Sequence, residues 1–114
     1  MTLLFWIKVI VAVATVGFGL MSIVSPPAAE RFTGLTASGP RGISEIRAVL
    51  GGLFVGLAIA VLIYRTSSAF GTLGIGYLGI AFVRAASIFA DSASTPTNWA
   101  SLAAEVIFGI LLLV

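Results

Sequence analysis

Cysteine and histidine are both absent, and charged residues make up only 9% of the chain. The first two absences remove disulfides, thiolate chemistry, zinc sites, Ser-His-Asp triads and histidine ligation of haem or chlorophyll by this chain. No cofactor, no metal site and no catalytic residue set is expected. The scarcity of charge excludes something broader. An ordinary soluble domain carries about 25% charged residues, so water is the wrong solvent for most of this surface. The six basic residues are spread between Lys8 and Arg84 and form no stripe of the kind nucleic-acid binding requires. No nucleic-acid partner is read, although the isoelectric point lies near 9.7.

What is present is hydrocarbon. Hydrophobic residues are 60% of the 114, and the mean hydropathy is +1.20. A membrane-crossing helix needs about 20 apolar residues, so four spans and three connections use up these residues and leave no space among them for a soluble catalytic domain. The expected fold is an all-α membrane protein, a four-transmembrane-helix bundle with antiparallel neighbours and mostly short connections. It is read as one transmembrane domain, with spans at about 3–24, 45–64, 69–90 and 98–114.

Leu3 to Val24 is almost unbroken apolar sequence, too long for a signal-peptide core and without a basic start. It is expected to remain as the first span. Pro26 and Pro27 stop it, because proline lacks an amide proton and clashes with the preceding turn. The connection from Ser25 to Ser44 is the only long one. Its piece Ala28 to Leu35 reads either as a short interfacial helix with Ala28, Phe32 and Leu35 inward, or as an irregular polar loop. The second span ends at Tyr64-Arg65, the amphipathic ending that aromatic belts and snorkelling cations favour. Thr66 to Ser68 make a tight turn. Between the third and fourth spans, Thr95 is placed to cap and Pro96 to take the first helical position. Orientation stays open, with Arg31, Arg41 and Arg47 on one side against Lys8 and Arg65 on the other.

The second span places a small residue at every fourth position, Ala48, Gly52, Gly56 and Ala60, a spacing that lets helices approach closely in lipid. Gly51, Gly76 and Gly79 join this expected packing set. Gly74-Ile75-Gly76-Tyr77-Leu78-Gly79 has the form of a dinucleotide fingerprint, but that motif needs a preceding strand and a βαβ unit that this chain cannot build. Packing is the better reading.

Ionisable groups in hydrocarbon carry a sharper signal, since each costs about 2.5–3.5 kcal/mol on insertion scales unless paired or hydrated. Arg84 stands seven positions before Asp91, and Glu105 six after Trp99. At about 1.5 Å per residue both lie roughly 9–11 Å below one surface, on antiparallel neighbours. They are expected to pair. Arg84, Ser87 and Asp91 share a face of the third span, Ser101 and Glu105 a face of the fourth, and Glu45 and Arg47 enter from the same surface. These seven residues read either as a water-accessible cavity for a head group, ion or proton, or as an ion-pair network fixing helix register. Lys8 is read as snorkelling to the terminal side.

The segment Ser44-Glu45-Ile46-Arg47-Ala48-Val49-Leu50-Gly51-Gly52-Leu53, then Gly79-Ile80-Ala81-Phe82-Val83-Arg84 with Asp91, then Glu105, resembles the four-helix membrane proteins grouped as the DUF4345 family. The likeness runs over most of the chain, through Glu45, Arg47, Gly51, Gly52, Arg84, Asp91 and Glu105. It implies a small bacterial inner-membrane protein and no particular activity. By size and helix number the chain is also similar to the small multidrug transporters, and Ala104-Glu105-Val106-Ile107 looks like their acidic helix motif. Their essential glutamate belongs to the first helix, where this chain has Lys8, which argues against drug and proton exchange.

Three functions follow in order. The first is a non-enzymatic accessory subunit docking to larger membrane chains, or to copies of itself, through small-residue faces. The second is a binding or transport module for a lipid-like or anionic small molecule. The third, an intramembrane enzyme using Glu105 or Asp91, lacks a second catalytic group.

Overall fold

The computed structural model describes all residues from Met1 to Val114. It is helical throughout, with five helices: α1 (Leu3–Val24), α2 (Pro26–Thr33), α3 (Gly39–Tyr64), α4 (Ser67–Ala90) and α5 (Pro96–Leu113). All but α2 are long and apolar enough to cross a membrane, which is what a helical membrane bundle requires. Between 17% and 33% of each span is buried inside the chain. The remaining faces carry Leu20, Leu57, Ile63, Ile75, Phe82, Phe89 and Ile107 outward, so their apolar surface has to be covered by lipid or by other chains. This is a multi-pass membrane protein.

Each helix boundary has a local cause. Val24 precedes Ser25, whose hydroxyl accepts from the Ala28 amide and caps α2, with proline in its first turn. Thus the segment after the first span is a helix and not an irregular loop. Its inward residues are Pro26 and Ala29, whereas Phe32 and Leu35 are exposed; the inward face is set by docking of the first turn, which the local pattern did not reveal. Gly34 ends α2 at φ 81°, a left-handed conformation that glycine adopts without a Cβ penalty. The second span begins at Gly39, six residues before the expected Glu45, because Pro40 suits the first turn of a helix. Within α3 the turns widen to π geometry over Ile46–Leu53. Thr66 caps α4 by accepting from the Ala69 amide, and Thr95 caps α5 by accepting from the Asn98 amide, so the third and fourth spans each start two residues earlier than read.

By contacts the chain forms two compact units, one of Val9–Tyr64 and one of Met1–Lys8 with Arg65–Val114. In the first, α1 buries Val11, Ala12, Thr15, Gly19 and Ser22, a helical stripe in which Ala12, Thr15, Gly19 and Ser22 are spaced by three and four residues. The Thr15 and Ser22 hydroxyls donate to the carbonyls of Val11 and Phe18, so neither polar group is left without a partner in the apolar interior. Gly19 and Gly51 allow α1 and α3 to touch: a Cβ on Gly19 would stand 2.8 Å from the Gly51 carbonyl oxygen. In the second unit α4 and α5 are antiparallel and joined by a short turn; α4 buries Phe70, Leu73, Gly74, Ala81 and Ile88, α5 buries Glu105, Gly109 and Leu112, and the two helices touch where Gly74 faces Gly109 and Leu112 and where Leu78 faces Gly109. A Cβ on Gly74 would lie 2.9 Å from the Gly109 carbonyl oxygen. This close backbone approach supplies the van der Waals contact that associates helices in lipid, where no hydrophobic drive exists between them.

Candidate functional site

The polar centre of the α4–α5 unit is built around Arg84. Its Nε donates to both oxygens of Glu105, at 2.8 Å and 2.9 Å, and its Nη2 lies 2.6 Å from Glu105 Oε1. This is a side-on fork, the geometry in which a guanidinium and a carboxylate match best. Nη1 donates to Asn98 Oδ1 at 2.8 Å. Asn98 is in turn held by its own Nδ2, which donates to the Ala93 carbonyl at 3.0 Å. The turn between α4 and α5 therefore aims Asn98, and Asn98 aims Arg84. Trp99 anchors the same turn by donating from its indole nitrogen to Ser94 Oγ at 3.0 Å and packing edge-on against Phe89.

The two partners are unequally covered: the Glu105 side chain is 11% exposed and that of Arg84 32%. Arg84 reaches an open groove of about 530 Å³ lined by Gly79, Ile80, Val83, Arg84, Ser87 and Asn98. A guanidinium has five N–H donors. Glu105 and Asn98 occupy three, which leaves two for whatever enters the groove. Ser87, at the end of the groove toward the α4–α5 turn, donates from Oγ to Asp91 Oδ2 at 2.6 Å. The floor of the groove is apolar and its upper end polar.

The structure thus brings Arg84 and Glu105 together, and places Ser87 and Asp91 on the same face of α4. Ser101, one turn before Glu105, is half-buried and takes no part in these bonds. Glu45 and Arg47 belong to the other unit, where both are exposed and Arg47 donates to the carbonyl of Ile23, close to the end of α1, where a cation complements the helix dipole. Asn98 was missed in the sequence. Its signal was there, since it precedes Glu105 by seven residues and so shares its helical face. Of the glycines, Gly51 sits in a tight helix contact, and Gly19, Gly74 and Gly109 do so as well. A Cβ on Gly56, Gly76 or Gly79 would meet nothing within 4 Å, and one on Gly52 only the Arg47 carbonyl oxygen at 3.9 Å; Ala60 is half-buried.

No curated protein and no solved structure matches the chain. The profile of one family, described as a domain of unknown function, DUF4345, matches residues 3–114. That match takes in all four spans, together with the Arg84, Asn98 and Glu105 network. The chain belongs to the DUF4345 family.

Proposed function

We propose that this small membrane protein binds an amphiphile with an anionic head group in the groove beside Arg84. The observation that carries the reading is the pair of N–H donors left on Arg84 after Glu105 and Asn98 are served, on a side chain that lines an otherwise apolar groove. A carboxylate or phosphate would take those donors, and an acyl chain would follow Val83, Ile80 and Gly79 down α4. Glu105 holds the guanidinium in place and balances its charge while the groove is empty. All-helical spans suit a bacterial inner membrane, because outer-membrane proteins are built as β-barrels.

The exposed glycines favour a second reading, an accessory subunit. Gly52 and Gly56 on α3 and Gly76 and Gly79 on α4 present bare backbone outward, a surface suited to close approach by a helix of a larger membrane chain or of a second copy. One experiment separates the two: native mass spectrometry of protein extracted from its own membrane in mild detergent. A reproducible small-molecule adduct on a free chain, lost in Arg84→Met, supports the groove. A mass equal to a larger complex without such an adduct supports docking and rejects the groove.

A further inference from the structure

The opposite end of α4 carries a second cluster of charge that the Arg84 groove does not use. A pocket of about 200 Å³ is lined by Thr2, Leu4, Phe5, Lys8, Arg65, Ser67 and Phe70. Ser67 and Arg84 are 17 residues apart on α4, which at 1.5 Å per residue separates the two places by about 26 Å. Lys8 is the more informative of the two cations here. It is only 9% exposed, yet its ammonium makes no hydrogen bond or ion pair with the chain; its nearest companion is the Phe70 ring, whose centroid is 5.7 Å from Nζ. The stem is buried but Nζ is not, since no buried side-chain nitrogen or oxygen of the chain lacks a hydrogen-bond partner; Lys8 lines the pocket, so its ammonium is open to a counter-charge that arrives from elsewhere.

The rest of the pocket points to the same counter-charge. Arg65 stands beside Lys8 in the lining, and the acids of this unit, Asp91 and Glu105, belong to the far half of α4 and its partner helix. Ser67 opens a helix of 24 residues. Thr66 satisfies the amides of Ala69 and Phe70 through its hydroxyl and its carbonyl, so the Ser67 and Ser68 amides are the first-turn donors left without an intrahelical acceptor, at the end of the helix that favours negative charge. Thr2 and Ser67 add hydroxyl groups. Donors of three kinds, two full positive charges and no acid describe a receptor for a compact anion with several acceptor oxygens. Leu4, Phe5 and Phe70 wall it with hydrocarbon.

We propose that this pocket binds a phosphate group, with Lys8 and Arg65 neutralising it and the start of α4 donating to its oxygens. A tetrahedral phosphate offers acceptors in several directions at once, as these donors require, whereas a planar carboxylate engages one fork. Lys8 lies five residues after the first residue of α1, roughly 7.5 Å along the helix, a depth that a phospholipid head group reaches. The same chemistry is offered by free phosphate, and the test distinguishes the two sources.

Delipidated protein in non-ionic detergent is titrated separately with inorganic phosphate and with short-chain phosphatidic acid, and bound copies are counted by native mass spectrometry. The expected result is one saturable copy that persists in R84M, which removes the other groove's donors, is weakened roughly tenfold or more in K8M and in R65Q, since each removes a charge-assisted hydrogen bond, and is retained in K8R; a copy lost in R84M belongs to the Arg84 groove. Binding of phosphatidic acid alone identifies a lipid head group; binding of both identifies any accessible phosphate. A second measurement needs no variant. Lys8 is the only lysine of the chain, so acylation of its amine, read by peptide mass, should slow several-fold when the probe is bound. Absence of saturable binding to the folded protein, binding undiminished in K8M and R65Q, or Lys8 acylation unaffected by either probe would overturn the proposal.

Discussion

Arg84→Met and Glu105→Gln remove the two halves of one ion pair, and the structure makes their effects unequal. With Arg84 gone, the Glu105 carboxylate loses Nε and Nη2 together and stays where its side chain is 11% exposed. Removing one partner of a buried pair costs about 3–5 kcal/mol, and the partial opening toward the groove places the expected loss near the lower figure, about 3 kcal/mol. With Glu105 neutral, Arg84 keeps its bond to Asn98 and its access to the groove, and a hydrogen bond to a charged group is worth about 1.5–3 kcal/mol; the expected loss is about 1.5 kcal/mol. The double change Arg84→Met with Glu105→Leu leaves no charge behind and should cost less than Arg84→Met alone, because apolar replacements of buried pairs are often near neutral. Reversible unfolding of the unmodified protein, Arg84→Met, Glu105→Leu and the double variant in one detergent, read by helical circular dichroism, gives the coupling energy, with Glu105→Gln measured beside them. Additivity within about 0.5 kcal/mol, the behaviour of sites without contact, would refute the argument, as would a larger loss in Glu105→Gln than in Arg84→Met.

Two further predictions concern packing and the turn. Gly74→Ala sets a Cβ 2.9 Å from a backbone oxygen of Gly109 and should destabilise by about 1–3 kcal/mol through overpacking, while Gly79→Ala enters open space and should stabilise by up to about 1 kcal/mol through helix propensity; thermal unfolding in one detergent checks both signs. Asn98→Ala removes the acceptor for Arg84 Nη1 and the donor to Ala93, so it should lower stability by about 1 kcal/mol and weaken retention of any groove adduct in native mass spectrometry, with Glu105 pairing intact.

The class of this protein was legible in the sequence because it rests on local properties. Four apolar runs of spanning length, prolines at 26, 27 and 96, and threonines at 66 and 95 set where helices can begin and end, through amide geometry and capping that act within a few residues. Equal depth of Arg84 and Glu105 followed from counting residues along antiparallel neighbours. Tertiary structure decided what counting cannot reach. Which glycines bring helices together depends on the rotation of each helix about its axis, and that rotation sends Gly74 and Gly109 into contact while leaving Gly76 and Gly79 bare. Asn98 became the third member of the Arg84 network because the turn after α4 carries it back over that arginine. Lys8 and Arg65 are 57 residues apart in sequence and share a pocket only because the first turns of α1 pack beside the start of α4. Periodicity assigns a residue to a face; the packing of one helix against the next determines what that face meets.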